Sequence, residues 1–169
     1  EECIVSLKNQ TIKSEIFIST STPNKYIEDI ARKYGLEVFI NYGQKGITQD
    51  WNFGLSKVRT KYATVAHQDD IYEPDYAKKI IKKMERHNDS IIAFTDYNEL
   101  RNGKKVHDTT MLKIKRIMLM PLRIKMFWKS RFVRRRILSM GDPICCPAVT
   151  FNLYNIQRPI FSDGFRSCE

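Results

Sequence analysis

The sequence predicts an α/β fold with a mostly parallel sheet, and three observations predict it. Short apolar runs recur at residues 15–19, 36–40, 62–66 and 90–95. Between them, apolar residues repeat at spacings of three and four, as amphipathic helices require. Helices placed between successive strands return the chain to the same end of the sheet, so the strands run in one direction.

The elements follow in order. Residues 1–10 have the pattern of the end of a helix. After the first strand, Thr22-Pro23-Asn24 turns the chain into a helix carrying Tyr26, Ile27, Ile30, Ala31 and Tyr34 on one face, and Gly35 closes it. Ile47, Trp51, Leu55 and Val58 mark a second helix, and Tyr76, Ile80, Ile81 and Met84 a third. Beyond Asp96 the alternation stops. Asn102-Gly103 is a hairpin turn signal, Pro121 divides residues 111–140 into two helices, and residues 145–153 are strand-like again.

The chain has 169 residues, enough for one core, and its 42% hydrophobic content excludes a disordered polymer. It has no apolar run of the ~18–20 residues that a membrane span needs, and Glu1-Glu2-Cys3 is not the start of a signal peptide. The cysteines, Cys3, Cys145, Cys146 and Cys168, form no zinc-type spacing, and a reducing, cytoplasmic setting is expected. The net charge of +10 is local. No acidic residue lies between Asp108 and Asp142, while ten cations do, and the remainder balances 19 basic against 19 acidic residues.

The run from Lys61 to Asp70 is a strand that ends in two adjacent carboxylates, Asp69 and Asp70, with Pro74 close behind. In open α/β sheets, ligands bind just beyond the carboxyl ends of the strands. Paired carboxylates there either cap the next helix or hold a hard divalent cation shared with a ligand's phosphates. From these residues alone the two readings stand level.

Four phrases stand in order along the chain: Ser6-Leu7-Lys8-Asn9-Gln10-Thr11; Asn41-Tyr42-Gly43 before a helix holding Asn52; His67-Gln68-Asp69-Asp70 with Pro74; and residues 161–169, ending in Glu169. In this order and spacing the chain resembles the family-2 glycosyltransferases of GT-A fold. The resemblance implies a three-layer α/β/α sandwich, one domain over 1–169. That domain would be cut short at both ends, with 109–141 as a basic amphipathic insertion. It implies inverting, metal-dependent transfer of a sugar from a nucleotide-diphosphate sugar, a UDP-sugar being favoured. The acceptor would be a saccharide or lipid-linked molecule in cell-surface polysaccharide or glycolipid synthesis.

Carried onto these positions, the resemblance makes Asp69 and Asp70 ligands of Mg²⁺ or Mn²⁺. It makes Asn41, Asn52, His67 and Asp69 donor contacts, and places Glu169 at the catalytic carboxylate motif. There are departures. His67 replaces the first Asp of a D-x-D phrase, Ser19-Thr20-Ser21-Thr22 replaces an acidic pair, and Trp51 stands where an Arg precedes the helix Asn. Each of these residues also has a plain structural use. Asn41 suits a turn, Asn52 a helix surface, residues 19–22 a helix cap, His67 a strand end and Trp51 the core.

The basic segment interleaves its cations with Met111, Ile114, Ile117, Met126, Phe127, Trp128 and Phe132, among others. On the second predicted helix, Leu122, Met126, Val133 and Ile137 share one side. Residues 111–140 therefore suit an anionic membrane surface, with the protein peripheral at the inner face of the plasma membrane. A solvated helix pair packed on the core is the alternative. Two rival functions follow: a non-catalytic GT-A-like binding domain at the membrane, and a basic nucleic-acid-binding α/β domain. Nucleic acid fits less well, since no recognition module accompanies the charge.

Overall fold

The computed structural model describes residues 1–162. Helix α1 (Glu2–Lys8) leads into β1 (Phe17–Thr20), α2 (Lys25–Tyr34), β2 (Glu37–Ile40), α3 (Ile47–Lys57) and β3 (Tyr62–Thr64). Then come α4 (Tyr76–Glu85), β4 (Ile92–Phe94), the hairpin strands β5 (Glu99–Arg101) and β6 (Lys104–Val106), α5 (Thr110–Leu119), α6 (Arg131–Ser139) and β7 (Val149–Asn152).

Strands β1 and β2 pair in parallel, Phe17 opposite Glu37. Strand β7 runs between β3 and β4, antiparallel to both, so β3 and β4 share one direction. The strands that alternate with helices thus run in parallel within each sheet; the later β7 runs against β3 and β4, and β5 and β6 form a separate antiparallel hairpin. Leu55 of α3, Ala63 of β3 and Val149, Phe151 and Leu153 on and just past β7 form the buried core.

Local chemistry explains the boundaries. Helix α2 starts at Asn24, whose Oδ1 accepts from the Ile27 backbone N–H at 3.0 Å, so the cap is Asn24 and not residues 19–22. It ends at Gly35, which takes the left-handed conformation at φ 62°. Asn24→Ala is expected to cost about 1 kcal/mol in a urea titration, whereas Thr22→Ala, outside the cap, should cost far less. Asn102 and Gly103 both have positive φ between β5 and β6, the two-residue hairpin expected from their identities.

Three expectations need correction. The third strand ends at Thr64, opposite Thr150 of β7, two residues short of Ala66. Residues 146–148 form a 3₁₀ turn instead of strand, with Pro147 supplying no N–H for a ladder. The basic segment is not two helices divided at Pro121. Two 3₁₀ turns, Met120–Arg123 and Lys125–Lys129, separate α5 from α6. The Trp128 indole N–H donates to the Leu122 carbonyl at 2.6 Å and folds this stretch back on itself. Ser130 then caps α6 afresh, so Leu122 and Met126 do not share a helix face with Val133 and Ile137.

Candidate donor and metal site

The turn after β3 closes with the Asp70 N–H donating to the His67 carbonyl at 3.3 Å. It gathers one ligand atom each from His67, Asp69 and Asp70 within 4.8 Å of one another. His67 Nδ1 lies 4.0 Å from Asp70 Oδ2. Asp69 is exposed, while His67 and Asp70 are half-buried. Desolvation raises the Asp70 pKa, and the neighbouring Asp69 charge raises it further against a smaller opposing effect of His67. A site that penalises its own carboxylate charge in this way is one that a cation relieves.

The chain upstream and downstream holds this turn in place. Ser6 Oγ donates to the Cys3 carbonyl at 2.7 Å and accepts from the Tyr72 N–H at 3.0 Å. The buried Gln10 amide donates to the Ser6 and Glu73 carbonyls, at 3.2 and 2.8 Å, and its oxygen accepts from the Ala77 N–H at 2.9 Å. The Thr11 N–H donates to the Pro74 carbonyl at 2.8 Å. The Ser-Leu-x-x-Gln-Thr phrase is therefore a clamp on residues 72–77, the segment that follows the acidic pair. Tyr72 completes it: the buried ring packs edge-on against Tyr76, and its hydroxyl donates to the Pro147 carbonyl at 2.8 Å.

Trp51 is more than core packing. Its indole stacks on the His67 imidazole, centroids 5.0 Å apart and 27° from parallel, and Phe161 packs edge-on against the same indole at 5.0 Å. One helical turn on, α3 lies so close to β1 that a Cβ on Gly54 would meet the Ser19 side chain at 3.2 Å. One face of α3 thus touches the ends of both β1 and β3. Two buried polar atoms at those ends, Ser19 Oγ and His67 Nε2, have no hydrogen-bond partner among the described residues. Buried polar atoms are normally satisfied, and an imidazole whose Nε2 has no partner while its Nδ1 faces Asp70 suits metal or ligand contact.

The two asparagines have internal partners. Asn41 donates to Asp50 Oδ1 at 2.7 Å and to the Gln44 carbonyl at 3.2 Å, and accepts from the Gly43 N–H. Asp50 Oδ2 in turn accepts from Ser21 Oγ at 2.6 Å. Ser21, Asn41 and Asp50 so tie the ends of β1 and β2 to the start of α3. Asn52 donates to the Phe161 carbonyl at 2.8 Å and accepts from the Ile160 and Phe161 N–H groups at 3.0 Å. It anchors the chain after β7 against α3, which keeps Phe161 beside Trp51. Asp50 was not singled out in the sequence, where a first-turn helix Asp looks like ordinary dipole compensation. Glu169 lies outside the described residues.

The donor set fits a divalent cation. Two carboxylates and one imidazole, with room on the solvent side of Asp69, match the oxygen-rich, partly hydrated coordination of Mn²⁺ or Mg²⁺. The model of the family described as glycosyl transferase family 2 matches residues 1–155 of the chain. No curated protein matches it.

Proposed function

The chain belongs to glycosyl transferase family 2, a family of GT-A fold, and from that premise we propose that it transfers a sugar from a nucleotide-diphosphate sugar, by inversion and with Mn²⁺ or Mg²⁺, to a saccharide or lipid-linked acceptor. The observation that carries this reading is the convergence of His67, Asp69 and Asp70 just past the end of β3, where α/β sheets bind their ligands.

Asp69 and Asp70 would hold the cation through carboxylate oxygens, with His67 as a neutral nitrogen ligand. Bound there, the cation would neutralise charge building on the departing diphosphate. Trp51 holds the imidazole plane by stacking, and Phe161 packs edge-on against the indole. The Ser6, Gln10 and Tyr72 contacts keep the acidic turn from relaxing when its charges repel. Ser19 Oγ is the free hydroxyl nearest this face of α3 for a polar contact to the donor. An acceptor hydroxyl must lose its proton as it attacks, and Glu169 is the carboxylate we assign to that part of the site. The cations of residues 111–140 support an anionic membrane surface as the setting, where a lipid-linked acceptor would lie.

Calorimetry with UDP and with GDP, each with and without Mn²⁺, tests the donor site. UDP is expected to bind only when Mn²⁺ is present, and GDP more weakly. Equal UDP affinity with and without metal would overturn the metal assignment, and failure of both nucleotides would overturn the donor site.

A further inference from the structure

Between the basic segment and the α4–β4 layer lies a cavity of about 1200 Å³. The buried Met84 and Ile137 and the half-buried Phe94 and Ile144 form its inner wall, and the exposed Met126 and Leu138 stand at its mouth. Its volume exceeds the ~300–1,000 Å³ usual for small-molecule sites, and it is open to solvent, with room for an acyl chain. Around it stand Arg123, Lys125, Arg131, Arg134 and Arg135. Lys129 pairs with Asp89 and Arg116 with Asp96, whereas these five form no ion pair among the described residues. Outside the cavity the same segment exposes Met111, Ile117, Met120, Phe132 and Met140 between its cations.

We propose that this cavity takes the hydrocarbon chain of an anionic lipid, whose phosphate the rim arginines hold at the mouth. The inference rests on the membrane-surface part of the proposed function and is independent of the donor site. Guanidinium groups bind phosphate oxygens in a bidentate fork, and an apolar cavity gains by exchanging water for methylene groups. Nucleic acid would satisfy the cations and leave the cavity and the exposed methionines uncovered. Its stacking contacts would also need aromatic rings beside the cavity; Trp128 there has Lys83 over its face at 4.8 Å and His87 edge-on at 5.0 Å, and the exposed Phe132 lies outside it. A second copy of this chain would bring a like charge of +10 against the first.

The test uses lysophosphatidylglycerol kept below its micelle concentration, with lysophosphatidylcholine, phosphatidylglycerol-containing vesicles and a single-stranded oligonucleotide as comparisons. One lysophosphatidylglycerol is expected to bind per chain, at least tenfold more tightly than lysophosphatidylcholine. Ala93→Trp fills the cavity from β4 and should weaken that binding at least tenfold while vesicle binding persists. Leu138→Glu, at an exposed mouth position, should do the same in a chain whose folding is not at stake. The double variant Arg134→Glu, Arg135→Glu should weaken both. Vesicle binding without lysolipid binding would overturn the cavity and leave the membrane surface standing; absence of both would overturn the membrane reading too. Oligonucleotide binding that outcompetes lipid and ignores Ala93→Trp would assign the segment to nucleic acid instead.

Discussion

Gln10→Ala is expected to destabilise the protein by about 1–3 kcal/mol, and to weaken Mn²⁺ binding at the acidic turn by a further effect on its geometry. The side chain is 6% exposed and makes three hydrogen bonds to backbone groups. Truncation takes the acceptor from the Ala77 N–H, while the Glu73 carbonyl keeps the Tyr76 N–H, and an unsatisfied buried group costs more than the bond itself contributes. Gln10→Glu is the sharper control. It keeps the shape and the acceptor for Ala77, but turns the donor toward Ser6 and Glu73 into an anion facing two carbonyls. Urea unfolding should therefore rank Gln10→Glu near Gln10→Ala. A loss within ~0.5 kcal/mol, typical of surface changes, would show that the clamp contributes nothing. Ser6→Ala should act in the same direction through the Tyr72 N–H, which loses its acceptor.

Asp69→Ala is expected to lower Mn²⁺-dependent UDP binding by at least about a hundredfold, since loss of even an outer-shell partner costs roughly 10–100-fold in metal affinity. The informative contrast is with stability. Asp69 is exposed, and its charge raises the pKa of Asp70, so its removal relieves repulsion and should leave the melting temperature unchanged or raised. Asp70 holds its proton more tightly in the folded chain than in the unfolded one, through desolvation first and Asp69 second. Stability is therefore lost as pH rises through its folded-state titration, and Asp70→Asn should remove that loss together with the metal. A pair that served only to cap or brace the turn would give the opposite result, with stability falling and no change in nucleotide binding. His67→Asp should move ion preference toward Mg²⁺, which favours an all-oxygen shell. The same change breaks the Trp51 stack.

Much of the architecture was legible because it rests on local rules. Gly35, Asn102-Gly103 and the apolar spacing of α2 and α4 set their elements through dihedral preference and periodicity, which neighbouring residues carry by themselves. Pro121 by itself is consistent with a simple divide between two helices. The Trp128–Leu122 bond and the Ser130 cap, both side-chain contacts formed on folding, turn that stretch into two 3₁₀ turns and a new helix. The acidic pair was legible as a site, but its two plain uses could not be separated by spacing alone.

What the sequence determined by itself is the order of strands and helices, the hairpin turn, the confinement of charge to one segment, and the phrases that mark the family. These are properties of composition and short-range pattern. Only the tertiary structure decided that Gln10 and Ser6 clamp a segment more than sixty residues away, that Trp51 lies on His67, and that β7 runs between β3 and β4. It also decided that Asn41 and Asn52 bond inside the chain, and that the basic segment walls a cavity while burying Leu112 and Ile137. Each depends on which distant groups meet once the core closes around Leu55 and Phe151. A buried polar group takes whatever partner the closed core offers, because leaving it unpaired costs more than any local preference.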